Sequence, residues 1–191
     1  MGVTLRYPAV FLDRDGTINE EVGYLDRLDK LKLLPNAPQA IRLINQMGFK
    51  TIVVTNQSGV ARGLYEETLV DEVHRRINET LKDTGAVIDG FYYCPHHPEE
   101  GRLPYRKVCS CRKPAAGMLF RAAREFNVDL GKSYMIGDTA RDMEAAAAVG
   151  VKGILVKTGY GLDNLDGPVA PVYIAEDILA AVQWIMEERA R

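Results

Sequence analysis

The chain has 191 residues, 47% of them hydrophobic and 26% charged, with a formal net charge of −2. That balance fits one soluble domain, residues 1–191, with a core of its own, and excludes a surface that binds polyanions through bulk positive charge. No apolar run approaches the ~20 residues of a membrane-spanning helix, so neither nucleic acid nor membrane is an expected partner.

Strand-like and helix-like stretches alternate along the chain. Residues 8–13 read as a first buried strand, ending in Asp13. Asn36 to about Met47 reads as a helix, with Ala40, Leu43, Ile44 and Met47 at helical spacing and Gly48 as its stop. Lys50 to Thr55 is β-branched and buried, a second strand. Glu66 to Asp83 is a long amphipathic helix carrying Leu69, Val73, Ile77 and Leu81, with His74 expected at or near the surface. Ile88 to Tyr93 is a third strand. Residues 94–113 follow neither period. Ala115 to Phe126 reads as a helix, Ser133 to Gly137 as a strand, Arg141 to Val149 as an Ala-rich helix stopped by Gly150, and Val151 to Val156 as a strand. Residues 159–170 are rich in Gly, Asp and Pro and read as a surface loop. Pro171 to Ile174 is a short strand and Glu176 to Glu188 a last helix. This order predicts right-handed crossovers and a parallel sheet covered on both faces, a Rossmann-like three-layer α/β sandwich. Such sheets bind ligands at the carboxyl ends of their strands.

The candidate chemistry sits at those ends. Asp13 and Asp15 flank Arg14 where the first strand stops, and a period of two points both carboxylates the same way. Paired buried carboxylates call for a cation, and a divalent metal is the natural partner. After the second strand, Thr55-Asn56-Gln57-Ser58-Gly59 offers a hydroxyl and successive backbone N–H groups to phosphate oxygens. Arg112-Lys113-Pro114 offers an ammonium to a phosphoryl group and a guanidinium fork to a second anion, with Pro114 suited to a helix's first turn. Gly137-Asp138-Thr139-Ala140-Arg141-Asp142 follows a strand and opens a helix; Asp138 would complete the metal site, and Asp142 lies one helical turn on. All 3 Cys lie between Cys94 and Cys111. An odd number in one short stretch suits metal binding better than a disulfide framework. With His96 or His97 they make a closed tetrahedral set of the kind that holds structural Zn²⁺. The apolar run Pro8 to Leu12 is too short for a secretion signal, so the expected location is the cytoplasm.

Taken together, Asp-Arg-Asp-Gly-Thr at 13–17, the Thr55 strand end, Lys113 and the Gly-Asp-x-x-x-Asp run at 137–142 resemble the four motifs of the haloacid dehalogenase (HAD) superfamily of phosphatases, in order and on the expected elements. Tyr-Tyr-Cys-Pro-His-His-Pro at 92–98 and Cys-x-Cys-Arg-Lys-Pro at 109–114 extend the likeness to its heptose bisphosphate phosphatase family, over roughly residues 8–160. The resemblance implies a Mg²⁺-dependent hydrolase that removes the C7 phosphate of heptose 1,7-bisphosphate, in the synthesis of nucleotide-activated heptose for lipopolysaccharide or surface glycans. A histidinol-phosphate phosphatase shares the motif set and a zinc loop and stands as the alternative.

The resemblance also implies roles. Asp13 is the nucleophile that forms an aspartyl-phosphate. Asp15 is the general acid and then base, so its side chain should avoid the metal and have a raised pKa. Mg²⁺ sits on the Asp13 carboxylate, the Asp15 backbone carbonyl and Asp138, with Asp142 behind them. Thr55 and Lys113 stabilise the phosphoryl oxygens. Arg14, Glu21, Val22, Gly23, Tyr24, Asn56, Gln57, Ser58 and Arg112 contact the sugar phosphate. The likeness selects His96 over His97 as the zinc ligand beside Cys94, Cys109 and Cys111. The residues between Thr17 and Asn36 are too few for an inserted cap domain of about 50 residues or more, so the zinc loop is expected to cover the site. With no coiled coil in the sequence, a monomer is expected.

Overall fold

The computed structural model describes residues 6–190; the ends at 1–5 and 191, which the single-domain expectation includes, lie outside the described residues. Six strands form one parallel sheet: β1 (Ala9–Leu12), β2 (Lys50–Asn56), β3 (Gly90–Cys94), β4 (Tyr134–Gly137), β5 (Lys152–Val156) and β6 (Tyr173–Ala175). Their order is β3-β2-β1-β4-β5-β6. The chain runs outward from β1 in one direction and then, from β4, in the other. The crevice at this reversal lies beyond the carboxyl ends of β1 and β4.

Helices α1 (Ala37–Gln46), α2 (Glu67–Lys82) and α5 (Ile178–Arg189) supply one outer layer, and α3 (Gly117–Glu125) and α4 (Ala140–Ala147) the other. The period-two pattern of β1 makes this possible. Val10 and Leu12 join Ile41, Ile44, Ile77 and Ile185 in one apolar cluster. Ala9 and Phe11 join Leu119, Ala122 and Ala146 in the other. All four β1 side chains are fully buried, so the strand reads as an unbroken apolar run, as a central parallel strand should. None of the helices among the described residues is long and apolar enough to cross a membrane.

The third strand starts at Gly90 rather than Ile88 and the last at Tyr173 rather than Pro171; two helix starts and one loop also differ from the sequence pattern, each for a local reason. The third helix starts at Gly117, not Ala115, because residues 113–115 form a turn in which Ala115 N–H donates to Arg112 O at 2.8 Å. Pro114 therefore sits outside the helix. The last helix starts at Ile178, because the Asp177 carboxylate caps it by accepting from Ala180 N–H at 2.9 Å. The loop at 159–170 holds a short 3₁₀ turn, Gly161–Asn164, and folds back over the strand ends. His74 is buried, stacked on Phe91 with ring centroids 4.4 Å apart, because it belongs to the stripe of α2 that includes Val70, Val73 and Ile77.

Candidate active site

Parallel register brings the strand-end residues together. Leu12 is level with Val53 on β2 and Ile136 on β4, and Asp13 N–H donates to Ile136 O at 2.9 Å. Asp13, Thr55 and Asp138 thus leave three adjacent strands at nearly the same height. Asp13 Oδ1 accepts from Arg14 N–H at 2.7 Å and lies 2.9 Å from Lys113 Nζ, so the hydrogen bonds that hold it fall on Oδ1 rather than Oδ2. Lys113 is 2% exposed, and its ammonium is saturated: it also donates to Val54 O at 2.8 Å and lies 2.6 Å from Asp142 Oδ1. Burial works against its charge, yet the Asp13 and Asp142 carboxylates outweigh burial and raise its pKa. Removing one partner from a buried pair of this kind typically costs about 3–5 kcal/mol.

Asp15 departs from expectation. Its carboxylate accepts from Arg14 Nε and Nη2 at 3.2 and 3.0 Å and from Asn19 Nδ2 at 2.9 Å on Oδ1. On Oδ2 it accepts from Arg14 Nη2 at 2.9 Å and Gln57 Nε2 at 2.8 Å. Burial pushes this carboxyl up, but the Arg14 charge and the hydrogen bonds from Asn19, Gln57 and Arg14 push it down further, and the net shift is downward. The expected raised pKa is therefore not a property of the site without substrate. The Arg14 side chain, 1% exposed, is locked on Asp15 and Gln57 and does not line the cleft.

Asp138 is fully buried. Its Oδ2 accepts from Tyr160 N–H at 2.8 Å, while its Oδ1 has no hydrogen-bond partner. Burial, then the nearby Asp13 and Asp142, push its pKa to about 8; burial and Asp142 push Asp13 to about 6 against the pull of Lys113. Oxygens of Asp13, Asp138 and Asp142 all lie within 4.8 Å of one another. An orphaned buried carboxylate oxygen in an excess of negative charge is what a hard divalent cation would satisfy, so these residues fit Mg²⁺. Asp142 is already committed: its Oδ2 accepts from Thr139 N–H at 3.0 Å and from Thr139 Oγ1 at 2.7 Å, and its Oδ1 faces Lys113. Two glycines leave the room Asp138 needs. A Cβ on Gly16 or Gly159 would stand 2.2 or 2.1 Å from Asp138 Oδ2, and both have positive φ (+78° and +58°).

The second cluster joins the end of β3 to the segment before α3. Cys111 Sγ lies 3.2 Å from both Cys94 Sγ and Cys109 Sγ, and Cys94 and Cys109 are 3.5 Å apart. His96 Nδ1 is 3.6 Å from Cys94 Sγ and 3.4 Å from Cys111 Sγ. None of these is a disulfide. The spacings approach the edge of a tetrahedron with metal–sulfur bonds of about 2.3 Å, roughly 3.7 Å, so the set fits zinc. Cys94 and Cys111 share one proton across their contact: hydrogen bonding from Cys94 pulls the Cys111 thiol down with burial opposing, and the same contact together with burial pushes the Cys94 thiol up. His97 is not part of the cluster; it turns to the cleft, with Nε2 3.4 Å from Arg62 Nη2.

The cleft has a volume of about 340 Å³. Asp13, Asp15, Thr55, Lys113 and Asp138 line it, as do Glu21, Gly23, Tyr24, Asn56, Gln57, Ser58 and Arg112; Val22 does not. Arg112 donates to His96 O at 3.2 Å, so the backbone of the Cys/His cluster aims it, and burial followed by the Arg141 charge lowers its pKa.

The HAD-hydrolase-like family model matches residues 110–181. A D-glycero-D-manno-heptose-1,7-bisphosphate 7-phosphatase of Thermosynechococcus vestitus is 46% identical over 93% of this chain and 95% of its own. The chain belongs to this 7-phosphatase family. The D-glycero-beta-D-manno-heptose-1,7-bisphosphate 7-phosphatase of Escherichia coli K12 is likewise 46% identical, over 96% of this chain and 90% of its own. A crystal structure of the D,D-heptose 1,7-bisphosphate phosphatase of B. bronchiseptica, complexed with magnesium and phosphate, superposes with a TM-score of 0.85 at 34% identity, covering 95% and 99% of the two chains.

For a 7-phosphatase the cleft carries more cationic and aromatic surface than the sequence motifs name. Arg62, Tyr65, His97, Arg141 and Tyr160 also line it. Arg141 sits inside the Gly-Asp-x-x-Arg-Asp run, beside residues already singled out. Arg62, Tyr65 and Tyr160 come from loops with no period to mark them.

Proposed function

We propose that this 7-phosphatase removes the C7 phosphate of D-glycero-D-manno-heptose 1,7-bisphosphate and leaves heptose 1-phosphate. One observation carries the chemistry: Asp13 and Asp15, one residue apart, share a cleft with Thr55, Lys113 and the orphaned carboxylate of Asp138. The heptose bisphosphate specificity is supported by the family relationship. No observation favours histidinol phosphate.

Asp13 attacks phosphorus through a carboxylate oxygen, a P–O bond to Asp13 forms, and the bond between phosphorus and the C7 oxygen breaks. Asp15 gives its proton to that departing oxygen, an alkoxide that leaves poorly without one. Water then attacks the aspartyl-phosphate while Asp15 takes its proton, and inorganic phosphate departs. The downward-shifted Asp15 carboxyl suits the second half, where it acts as base. The incoming phosphate ester adds negative charge beside it, which favours the protonated form the first half needs. Bound on Asp13, Asp138 and the Asp15 carbonyl, Mg²⁺ would offset the charge of the transferring phosphoryl group. Lys113 holds Asp13 in place and adds positive charge, and Thr55 donates its hydroxyl to a phosphoryl oxygen. Zinc on Cys94, His96, Cys109 and Cys111 would be structural, since four protein ligands leave no open position. The proposal is tested by kcat/KM for heptose 1,7-bisphosphate against histidinol phosphate. It expects the bisphosphate to win by orders of magnitude, and an equal or reversed ratio would reject it.

A further inference from the structure

We propose that Gln57 is a positioning residue rather than a sugar-phosphate ligand, its amide fixing the direction of one hydrogen bond at Asp15 and one at Thr55. The inference rests on the assignment of Asp15 as the general acid. Gln57 lines the cleft but is only 3% exposed, and its backbone N–H donates to Cys94 O at 2.8 Å. Its amide is satisfied entirely by protein. Oε1 accepts from Arg14 Nη2 at 3.0 Å and from the Tyr65 hydroxyl at 2.9 Å. Nε2 donates to Asp15 Oδ2 at 2.8 Å and to Thr55 Oγ1 at 2.9 Å.

The polarity of this amide is imposed. A guanidinium only donates, so the amide atom facing Arg14 is the oxygen. Tyr65 supplies the second donor from a fixed ring: it packs with Val60 and Val70, and a Cβ on Gly59 would stand 2.2 Å from it. Two consequences reach the reacting atoms. The Thr55 oxygen already accepts from Gln57, so the Thr55 proton is left to point into the cleft, toward a phosphoryl oxygen. Around Asp15, the groups from Arg14, Asn19 and Gln57 are all donors. When Asp15 carries the proton it transfers, none of these groups competes for it, and the departing sugar oxygen is the acceptor on offer. With the amide reversed, Oε1 would stand at Asp15 and hold that proton itself.

The test uses steady-state kinetics of full-length Gln57→Met and Gln57→Glu on heptose 1,7-bisphosphate and on para-nitrophenyl phosphate, whose leaving group departs without a proton. Both are measured in the wild-type and Asp15→Asn backgrounds, with thermal melting to confirm folding. Gln57→Met keeps the length and removes the donors; Gln57→Glu keeps an oxygen toward Arg14 and places an acceptor at Asp15. The expected result is a kcat loss on the bisphosphate about tenfold greater than on the aryl ester, with KM changed less than about threefold, and a larger loss for Gln57→Glu. In the Asp15→Asn background this sugar-selective excess should vanish. A rise in KM at unchanged kcat would make Gln57 a substrate ligand and overturn the inference. So would equal losses on both esters, or a selective loss that persists without Asp15. If Asp15→Asn discriminates between the esters and neither Gln57 variant does, this inference alone falls. If Asp15→Asn does not discriminate, the acid assignment falls and takes the inference with it.

Discussion

In the proposed reaction Asp13 and Asp15 have opposite tasks one residue apart, and their surroundings separate them. Asp13 lies against Lys113 and beside the orphaned Asp138; Asp15 is held by Arg14, Asn19 and Gln57. Asp13→Asn should reduce turnover on the order of 10³-fold or more with the fold intact, because the amide neither attacks phosphorus nor balances a divalent charge. Activity close to wild type in purified Asp13→Asn would remove it as nucleophile. Asp15→Asn should lose about 10²–10⁴-fold on the sugar phosphate and far less on an activated aryl phosphate. The two aspartates are legible in the sequence because strand alternation and Gly16 leave them few other arrangements. The lowered pKa of Asp15 is not legible. It depends on Arg14 folding back onto its own neighbour, which in turn needs the buried amide of Gln57, and no local pattern encodes that meeting. Gly159 is equally silent in the sequence, yet its lack of a side chain is what admits Asp138.

At the scale of elements, the alternation of apolar strands and amphipathic helices gave the sheet away, and with it the height at which Asp13, Thr55 and Asp138 emerge. In the loop at 94–113 the Cys/His set is legible in the sequence, and the path of the loop is not. Its docking is a tertiary matter. Tyr105 and Tyr93 both donate to Glu67 at the start of α2, at 2.6 and 2.7 Å. Arg102 N–H donates to Ala61 O at 2.9 Å, and Arg62 pairs with Glu100. The loop is thus tied to the turn that carries Gln57 and Tyr65 on one side and to Arg112 and Lys113 on the other. Metal analysis of protein purified without chelator should find about one zinc per chain. Cys109→Ser should weaken zinc binding and lower kcat/KM on the order of 10²-fold through loss of aim at Arg112 and Lys113, while the sheet stays folded. Added Mg²⁺ should not restore it. A Cys109→Ser enzyme with normal zinc and normal kinetics would contradict this role.

For the whole molecule, the carboxylate cluster ties stability to pH and to metal. Without a divalent cation, the folded-state pKa of Asp138 is raised to about 8 and that of Asp13 to about 6, from ordinary values near 3.8. Between those values the folded chain binds more protons than the unfolded one. The contribution is fully present below the unfolded pKa and is lost as pH rises through the folded ones. Metal-free protein should therefore melt at progressively lower temperature between about pH 4 and pH 8, beyond the change shown by an Asp138→Asn variant. Added Mg²⁺ favours the ionised cluster, so the increase in Tm it produces should grow with pH over the same window. A Mg²⁺ effect on Tm that does not vary with pH would place the ion elsewhere.

The proposal that the C7 ester is the one cleaved is tested most directly by phosphorus NMR of heptose 1,7-bisphosphate incubated with the Mg²⁺-loaded enzyme. The primary phosphate signal at C7 should disappear as one equivalent of inorganic phosphate appears, while the glycosyl phosphate at C1 persists to the end of the reaction. Loss of the C1 signal first, or release of both phosphates together, would contradict it.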